Sequence, residues 1–558
     1  MKKTFRIAAI LAAMAVSASM VLAGCNSGGG SSTTSSGGTD SGDSGSTETS
    51  AAAEPGEPGR QGDYWVNANG DQIDISDHVD LVVYTFAGSS PNDVDMINEA
   101  ANEINEEAIN ASVDVQVMTD WSTRYNLALS SGEAIDLIWS AMWFQYQPYA
   151  YDGAWTDITD MVDEVVPELR SLIGEEMWEQ CRIEGRDYAI PSPNVQNNQW
   201  GVVWREDLRK EMGCSEITDL ASMEEYAEAI LEHHPEMIPY CESGSGGLFH
   251  SLSEQSHTFI GLGNPQFSYG VAFDPETNSL YQWDNTDWFE EYCVRIRDWV
   301  VKGYVQPDFR TTTDSYYNGI VTGKYAGSDC VTPGNMPNLI DACEALGWEV
   351  DYMSYGEMYE WTYWDSPVNL SYVIPVASEN PERALMFAYT VMTNDELFRI
   401  YDCGIEGTHY EIDENGYYVS LNDPDNPGFT QGALGLTSAI FNADAKLYSE
   451  SYQWVLDYYE ESIEPYIIEN VFQNFPEDYS SYSDLQTANS EVNDQYTWPV
   501  IAGAMDDPVA ALEDSNARKD AAGRQEIIAN VEEQFKTYLE GQVGGQAVLG
   551  RQHVSPTP

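Results

Sequence analysis

Basic residues are scarce in this chain: Lys and Arg number 24 against 92 Asp and Glu, for a formal net charge of −68. A surface that negative repels phosphate backbones and anionic lipid headgroups, which excludes nucleic acid as a partner. The acidity also serves solubility and salt tolerance, so by itself it identifies no ligand. Past the first 24 residues there is no run of ~20 apolar residues able to span a bilayer. Cys-x2-Cys spacing of the zinc type is missing. So are the Gly-x-Ser-x-Gly elbow, the His-Glu-x-x-His helix and the phosphate loop, the usual sequence marks of hydrolytic and nucleotide chemistry. His233 and His234 have no metal-ligand spacing, and Asp423, Asp425 and Asn426 lack the closing Glu of a calcium loop, so no metal or cofactor is expected. No internal repeat is found. Beyond Cys25 the cysteines are Cys181, Cys214, Cys241, Cys293, Cys330, Cys343 and Cys403. At least one of that odd set stays a thiol, which fits a reducing exterior as well as partial pairing, and no disulfide is assigned.

What is present begins with Lys2, Lys3 and Arg6, an apolar stretch from Ile7 to Val21, and then Leu22-Ala23-Gly24-Cys25. This is the layout of an export signal over residues 1–24. Small residues before a cysteine resemble the lipobox of bacterial lipoproteins, which implies a diacylglycerol on Cys25; the alternative is an ordinary signal peptide with a chance cysteine. Two acyl chains hold a protein on a membrane surface where one does not. Residues 25–76 are expected to be a disordered tether, since from Asn26 to about Gly62 the composition is Gly, Ser, Thr, Ala, Pro, Asp and Glu without apolar periodicity. The remainder is several times the ~150 residues of one domain, so two lobes are expected.

Leu81 to Phe86 is an unbroken apolar run that predicts a strand buried on both faces. Ser90 and Pro91 supply an N-cap and first helical residue, and Ile97, Ala101, Ile104 and Ala108 share one helix face. Val113, Val115 and Val117 predict a second strand, Trp121 to Leu129 a helix, and Ile135 to Trp139 a third strand. This alternation implies parallel crossovers, with ligands at the carboxyl ends of the strands, after Phe86, Met118 and Trp139. A second sector runs through Tyr188–Pro191 and Trp200–Trp204 to helices at Met223–Leu231 and Trp288–Val301. The chain returns as Leu370–Val376, with Asn380-Pro381 opening a helix. Asn415-Gly416 marks a hairpin between Tyr410–Asp413 and Tyr417–Leu421. Helices over about Ala443–Glu461 and Gln525–Leu539 close the chain.

Four segments, in order, carry a resemblance: Ser130-Ser131-Gly132-Glu133-Ala134-Ile135-Asp136-Leu137-Ile138, Asp187-Tyr188-Ala189-Ile190-Pro191, Arg205-Glu206-Asp207-Leu208, and Tyr401-Asp402-Cys403-Gly404-Ile405-Glu406-Gly407-Thr408-His409-Tyr410. The chain resembles the family 1 extracellular solute-binding proteins of ABC importers, most closely their lipoprotein O-like group. It departs from the usual pattern in its acidity and in Cys403. The resemblance implies an α/β fold of two lobes, each a mainly parallel sheet flanked by helices, with a hinge and a ligand cleft between them. It also implies a monomer that captures a soluble carbohydrate and delivers it to permease subunits, on the outer face of the cell membrane through Cys25. The expected division is lobe 1 over 77–193, lobe 2 over 194–365, a lobe 1 return over 366–440, C-terminal helices over 441–545 and a frayed tail over 546–558.

Aromatic residues form 12% of the chain, and sugars lay their apolar C–H faces on such rings while polar neighbours take the hydroxyls. Trp143, Trp361 and Trp364 are the expected stacking residues, with Phe86 and Trp121 beside them. Asp120, Asn198, Gln199, Asp365 and Asn369 are the expected hydroxyl partners. Any one ring is as readily core packing. Asp136 is expected to cap a loop rather than touch ligand. Arg124, Arg186 and Arg205 stand out in a base-poor chain, and an arginine such as Arg124 would suit a uronate carboxylate, the alternative being ion pairing within the lobes. A binding protein rather than an enzyme is expected; the rivals are a secreted glycoside hydrolase with two of the many carboxylates as acid and base, and a peptide or amino-sugar receptor.

Overall fold

The computed structural model describes residues 58–541, apart from positions 88, 120, 145, 195–199, 243–246, 257–268, 275, 276, 278, 308–314, 364, 365, 424–426 and 469–474. Cys25, the signal, most of the tether and the tail lie outside the described residues.

The tether is shorter than expected. Strands β1 (Gly59–Gln61), β2 (Tyr64–Val66) and β3 (Gln72–Asp74) form an antiparallel sheet within the 25–76 stretch. The cause is one aromatic residue: Trp65 is buried, edge-on to Tyr389 at 5.9 Å, and fastens the sheet to the core of lobe 1.

Lobe 1 is built on a five-stranded sheet. Strands β4 (Val79–Phe86), β5 (Ala111–Met118) and β6 (Leu137–Ser140) pair in parallel, β4 in the centre. The connecting helices, Val94–Ile109 and Trp121–Ser131, lie close to those foreseen. The first starts later than Ser90-Pro91 would place it, because Asp93 takes the N-cap position while Asp93 N–H and Asn92 are bonded to a distant loop. Strand β7 (Ala189–Pro191) closes the sheet beyond the returning strand Ser371–Val373, which lies between β6 and β7.

Lobe 2 is centred on β8 (Gly201–Arg205), and carries the hairpin β9 (Val271–Asp274) and β10 (Ser279–Gln282). Its main sheet runs β11 (Gly327–Val331), β8, β12 (Val350–Ser354), antiparallel throughout. On the far side of that sheet, parallel bridges add Ile238–Cys241 and then Val305. The expectation of mainly parallel sheets is therefore corrected: in each lobe two parallel pairings are followed by two antiparallel ones. The reason is topological, since a strand arriving from the other lobe starts at the edge where its neighbours end.

After β12 the chain passes β13 (Thr362–Tyr363) and rejoins lobe 1 as β14 (Ser371–Val373), antiparallel to β6 and β7. The Pro381–Thr393 helix follows with Asn380 at its N-cap, as the sequence indicates. Next come the Asp395–Cys403 helix and the hairpin β15 (Tyr410–Ile412), β16 (Tyr418–Ser420). Asn394 caps the Asp395–Cys403 helix, accepting from Leu397 N–H at 2.9 Å. Asn394→Ala should cost about 1 kcal/mol, measurable as a shift in the urea midpoint without a change in slope.

A third passage leads from Lys446 back to lobe 2, where the Gln453–Tyr458 helix packs against β12: Tyr458 Oη accepts from Ser354 N–H at 2.8 Å and Ser451 reaches Asp341 at 2.9 Å. Residues 443–452, expected as helix, are irregular because they make this crossing. Then β17 (Ile467–Ile468) pairs with β13. The final helices include Pro508–Ala521, which the sequence reading did not identify, and Arg524–Gly541. All seven cysteines beyond Cys25 are buried thiols.

Candidate functional site

Two recesses open at the carboxyl ends of the lobe 1 strands. One, of about 340 Å³, lies between the loop that follows β4 and the loop 427–433; Ser89, Ser90, Asn92, Thr430 and Gln431 give it a hydroxyl- and amide-rich lining. The other, of about 370 Å³, lies over the end of β5, between Tyr84, Gln116–Thr119, Arg124 and Leu127. Beside them runs a file of rings: Phe86 and Trp139 are 5.2 Å apart between centroids, Trp139 and Phe144 5.9 Å.

The far wall of the first recess is held by the hairpin motif. Asn92 donates to Pro427 O at 3.0 Å and Asp93 N–H to Gly428 O at 3.1 Å. His409 lies behind: its Nδ1 accepts from Ile405 N–H at 3.0 Å, which leaves Nε2 to donate to Asp93 Oδ2 at 3.3 Å. Gly404 is required, because its φ is +87° and a Cβ there would fall 2.8 Å from His409 Nδ1. Gly435, at φ +71°, sits against the carbonyl of Phe86, where a Cβ would come within 2.2 Å.

Of the residues singled out in the sequence, Phe86 is half-buried at this edge. Asn369, on the turn entering β14, has a buried Oδ1 that takes no hydrogen bond among the described residues. Trp361 is a correction: it is 2% exposed, packed with Tyr363 and the C-terminal helices, and offers no open face. Arg124 is occupied, donating to the Tyr84 hydroxyl and pairing with Glu133 at 3.2 Å. Arg186 pairs with Asp157, and Arg205 with Asp207 while lying 3.8 Å over the Trp348 ring. Trp121 opens the helix after β5 and Trp143 lies in the turn after β6, but their side chains lie outside the described residues, as do Asp120, Asn198, Gln199, Trp364 and Asp365. The calcium-like stretch 424–426 is also outside them. Asp136 caps as expected, accepting from Val82 N–H at 3.0 Å and from Ser378 at 2.8 Å.

Lobe 2 contributes a group the sequence reading missed. Trp200 leads into β8, its carbonyl held by Tyr355 N–H at 2.9 Å, and its ring lies 5.4 Å from His250 at an interplanar angle of 31°. His250 and Ser251 sit in the Gly247–Gln255 helix, and Ser251 reaches Tyr359 at 2.9 Å. The signal lay in the Gly-rich lead into that helix, which matches the loop after β4 in lobe 1.

The hydrolase alternative needs two reachable carboxylates. Glu242 and Asp329 do converge on Gly247, whose N–H lies 3.0 Å from both Glu242 oxygens, but both residues are fully buried. They cannot meet a glycosidic oxygen. No group of three or more metal-ligating side chains is present among the described residues.

No protein-family model matches the chain. The carbohydrate ABC transporter substrate-binding protein of Streptococcus pneumoniae serotype 4 is 21% identical over 329 residues; the match covers 58% of this chain and 64% of that protein, so it spans less than two thirds of the relative's length. Among solved structures, the N-glycan transport solute binding protein of Streptococcus pneumoniae in complex with Man1GlcNAc is similar with a TM-score of 0.63 at 17% identity, over 83% of this chain and 100% of the other. The same organism's ABC-transporter substrate binding protein FusA, in complex with kestose, gives 0.58 at 13% identity, over 84% and 100%. The chain has the two-lobed solute-binding fold. The strand ends that carry both recesses lie on the side of the lobe 1 sheet where β7 ends and β14 begins.

Proposed function

We propose that this chain is the carbohydrate-capturing component of an ABC importer, held on the outer face of the membrane by a lipid on Cys25 and delivering its sugar to permease subunits by hinge closure. The observation that carries the reading is the recess at the end of β4, where hydroxyl and amide groups line a cavity next to the half-buried ring of Phe86, which is backed by the buried Trp139 and Phe144. Flat rings for apolar sugar faces and hydrogen-bonding groups for hydroxyls are what a saccharide requires. The relatives are transport proteins, two of them solved with a sugar, which supports binding over catalysis. An uncharged oligosaccharide is favoured over a uronate, because Arg124, Arg186 and Arg205 each already pair with a carboxylate of this chain.

The test is a thermal-shift screen with kestose, mannosyl-N-acetylglucosamine, xylo-oligosaccharides and their uronate-bearing forms. A sugar at about 100 times its Kd should stabilise the protein by about 2.7 kcal/mol, with no release of new reducing ends. Stabilisation by peptides alone would defeat the reading, and new reducing ends would restore the hydrolase.

A further inference from the structure

Asp402 is 1% exposed, inside the motif that runs from Tyr401 to Tyr410. Its carboxylate collects donors from three separated points of one later segment: Gln431 Nε2 at 2.9 Å, Thr437 Oγ1 at 2.8 Å, and Lys446 Nζ at 2.9 Å from each oxygen. Its backbone carbonyl accepts from Gly432 N–H at 2.7 Å. These points have different places in the fold. Residues 431 and 432 line the recess beyond β4, Thr437 lies two residues past the glycine that abuts Phe86, and Lys446 is where the third passage to lobe 2 begins. Beyond Lys446, Tyr448 and Tyr452 stack at 4.8 Å and Ser451 is already bonded to lobe 2.

An ionised carboxylate suits this place, since it can accept on both oxygens at once, whereas an amide would turn donors toward donors. A buried carboxylate that loses its cation is left uncompensated and the network around it must rearrange. We infer that Asp402 is a positioning residue that couples the wall of the sugar recess to the hinge, with Lys446 as the hinge-side end of the coupling. The inference rests on the proposed function for the sugar and for the hinge, and on the hydrogen bonds of Asp402 for the tie between 431–437 and Lys446.

The test is hydrogen–deuterium exchange on the full chain without ligand, comparing wild type, Lys446→Met and Lys446→Arg. Lys446 is partly exposed while Asp402 is buried, so Lys446→Met leaves the carboxylate uncompensated, and Lys446→Arg, which keeps the cation, is the control for that cost. Lys446→Met should speed exchange about tenfold not only at 446–452 but also at the remote amides of 428–437, and Lys446→Arg should restore both. The panel sugar that most raises the wild-type Tm should bind Lys446→Met about tenfold more weakly. Faster exchange confined to 446–452, or an unchanged affinity for that sugar, overturns the coupling. If no panel sugar stabilises the wild type, the carbohydrate reading falls, and the exchange pattern alone decides whether wall and hinge are tied.

Discussion

Asp284→Ala is expected to destabilise the protein by about 3–5 kcal/mol, the cost of stranding buried charge. Asp284, Lys519 and Arg524 are all 0% exposed. Asp284 accepts from Lys519 Nζ at 3.1 Å and from Arg524 Nη1 at 3.1 and 3.0 Å. Burial already pushes the Lys519 ammonium below its ordinary pKa, and Asp284 is the group that opposes this. Without the aspartate two cations stay buried, with Asp520 and Asn516 still on Arg524 and the Trp283 ring beside Lys519. The helices Pro508–Ala521 and Arg524–Gly541 meet lobe 2 at this point, so their detachment should be the first event in urea. Tryptophan fluorescence and far-UV circular dichroism would follow it, and a midpoint within error of wild type would refute the account.

Asp329→Asn should do the opposite, and increasingly so as the pH rises. Burial, then the neighbouring Glu242 carboxylate, hold the Asp329 carboxyl well above its usual range. Hydrogen bonds from the backbone of Leu248 and of Asp329 itself offset this only in part, and Asp329 forms no ion pair among the described residues. Tyr355 and Tyr240 nearby are kept neutral by burial, Cys330 is buried as well, and Tyr355 donates to the Asp329 backbone carbonyl at 2.7 Å. A carboxyl with a raised folded pKa binds its proton more tightly in the native state than in the unfolded chain. The stability it permits is therefore full below the unfolded pKa, near 4, and declines as the pH climbs toward the folded value, by up to about 1.4 kcal/mol per pH unit. The asparagine removes that decline. Melting curves from pH 5 to 8 should fall for wild type and stay flatter for Asp329→Asn; parallel curves would sink the idea.

How much of this was legible depended on the range of the interactions. The strands of lobe 1 are unbroken apolar runs, and they stand where the sequence placed them within two residues or so: Leu81–Phe86 is observed as Val79–Phe86. The Asn415-Gly416 hairpin is equally local. The sheet at 59–74 escaped notice because three-residue strands are too short to show alternation, and only Trp65 and Val66 among them are buried. The Pro508–Ala521 helix was missed because much of its anchorage is the Asp284 ion cluster, with Lys519 among its buried residues and no broad apolar stripe. The site was read to the level of loops. The loop after Phe86 does border a recess, whereas Trp361 turned inward and Trp200 with His250 went unnoticed, because which face of a ring meets solvent is decided by tertiary neighbours. Asp402 stands in the fourth of the segments that carry the resemblance, but its role did not show there, for the same reason: its partners lie 29, 35 and 44 residues away.

The seven thiols have a practical corollary. Each is sealed, Cys214 the least so at 9%, and burial raises the pKa of Cys181, Cys293 and Cys403, so little thiolate is available to react. Alkylating reagents and mild oxidants should leave the folded protein unmarked. A pair of cysteines introduced on the two lobes would then take fluorophores selectively with every native sulfur left in place, and the distance between the dyes would report opening and shutting of the molecule directly.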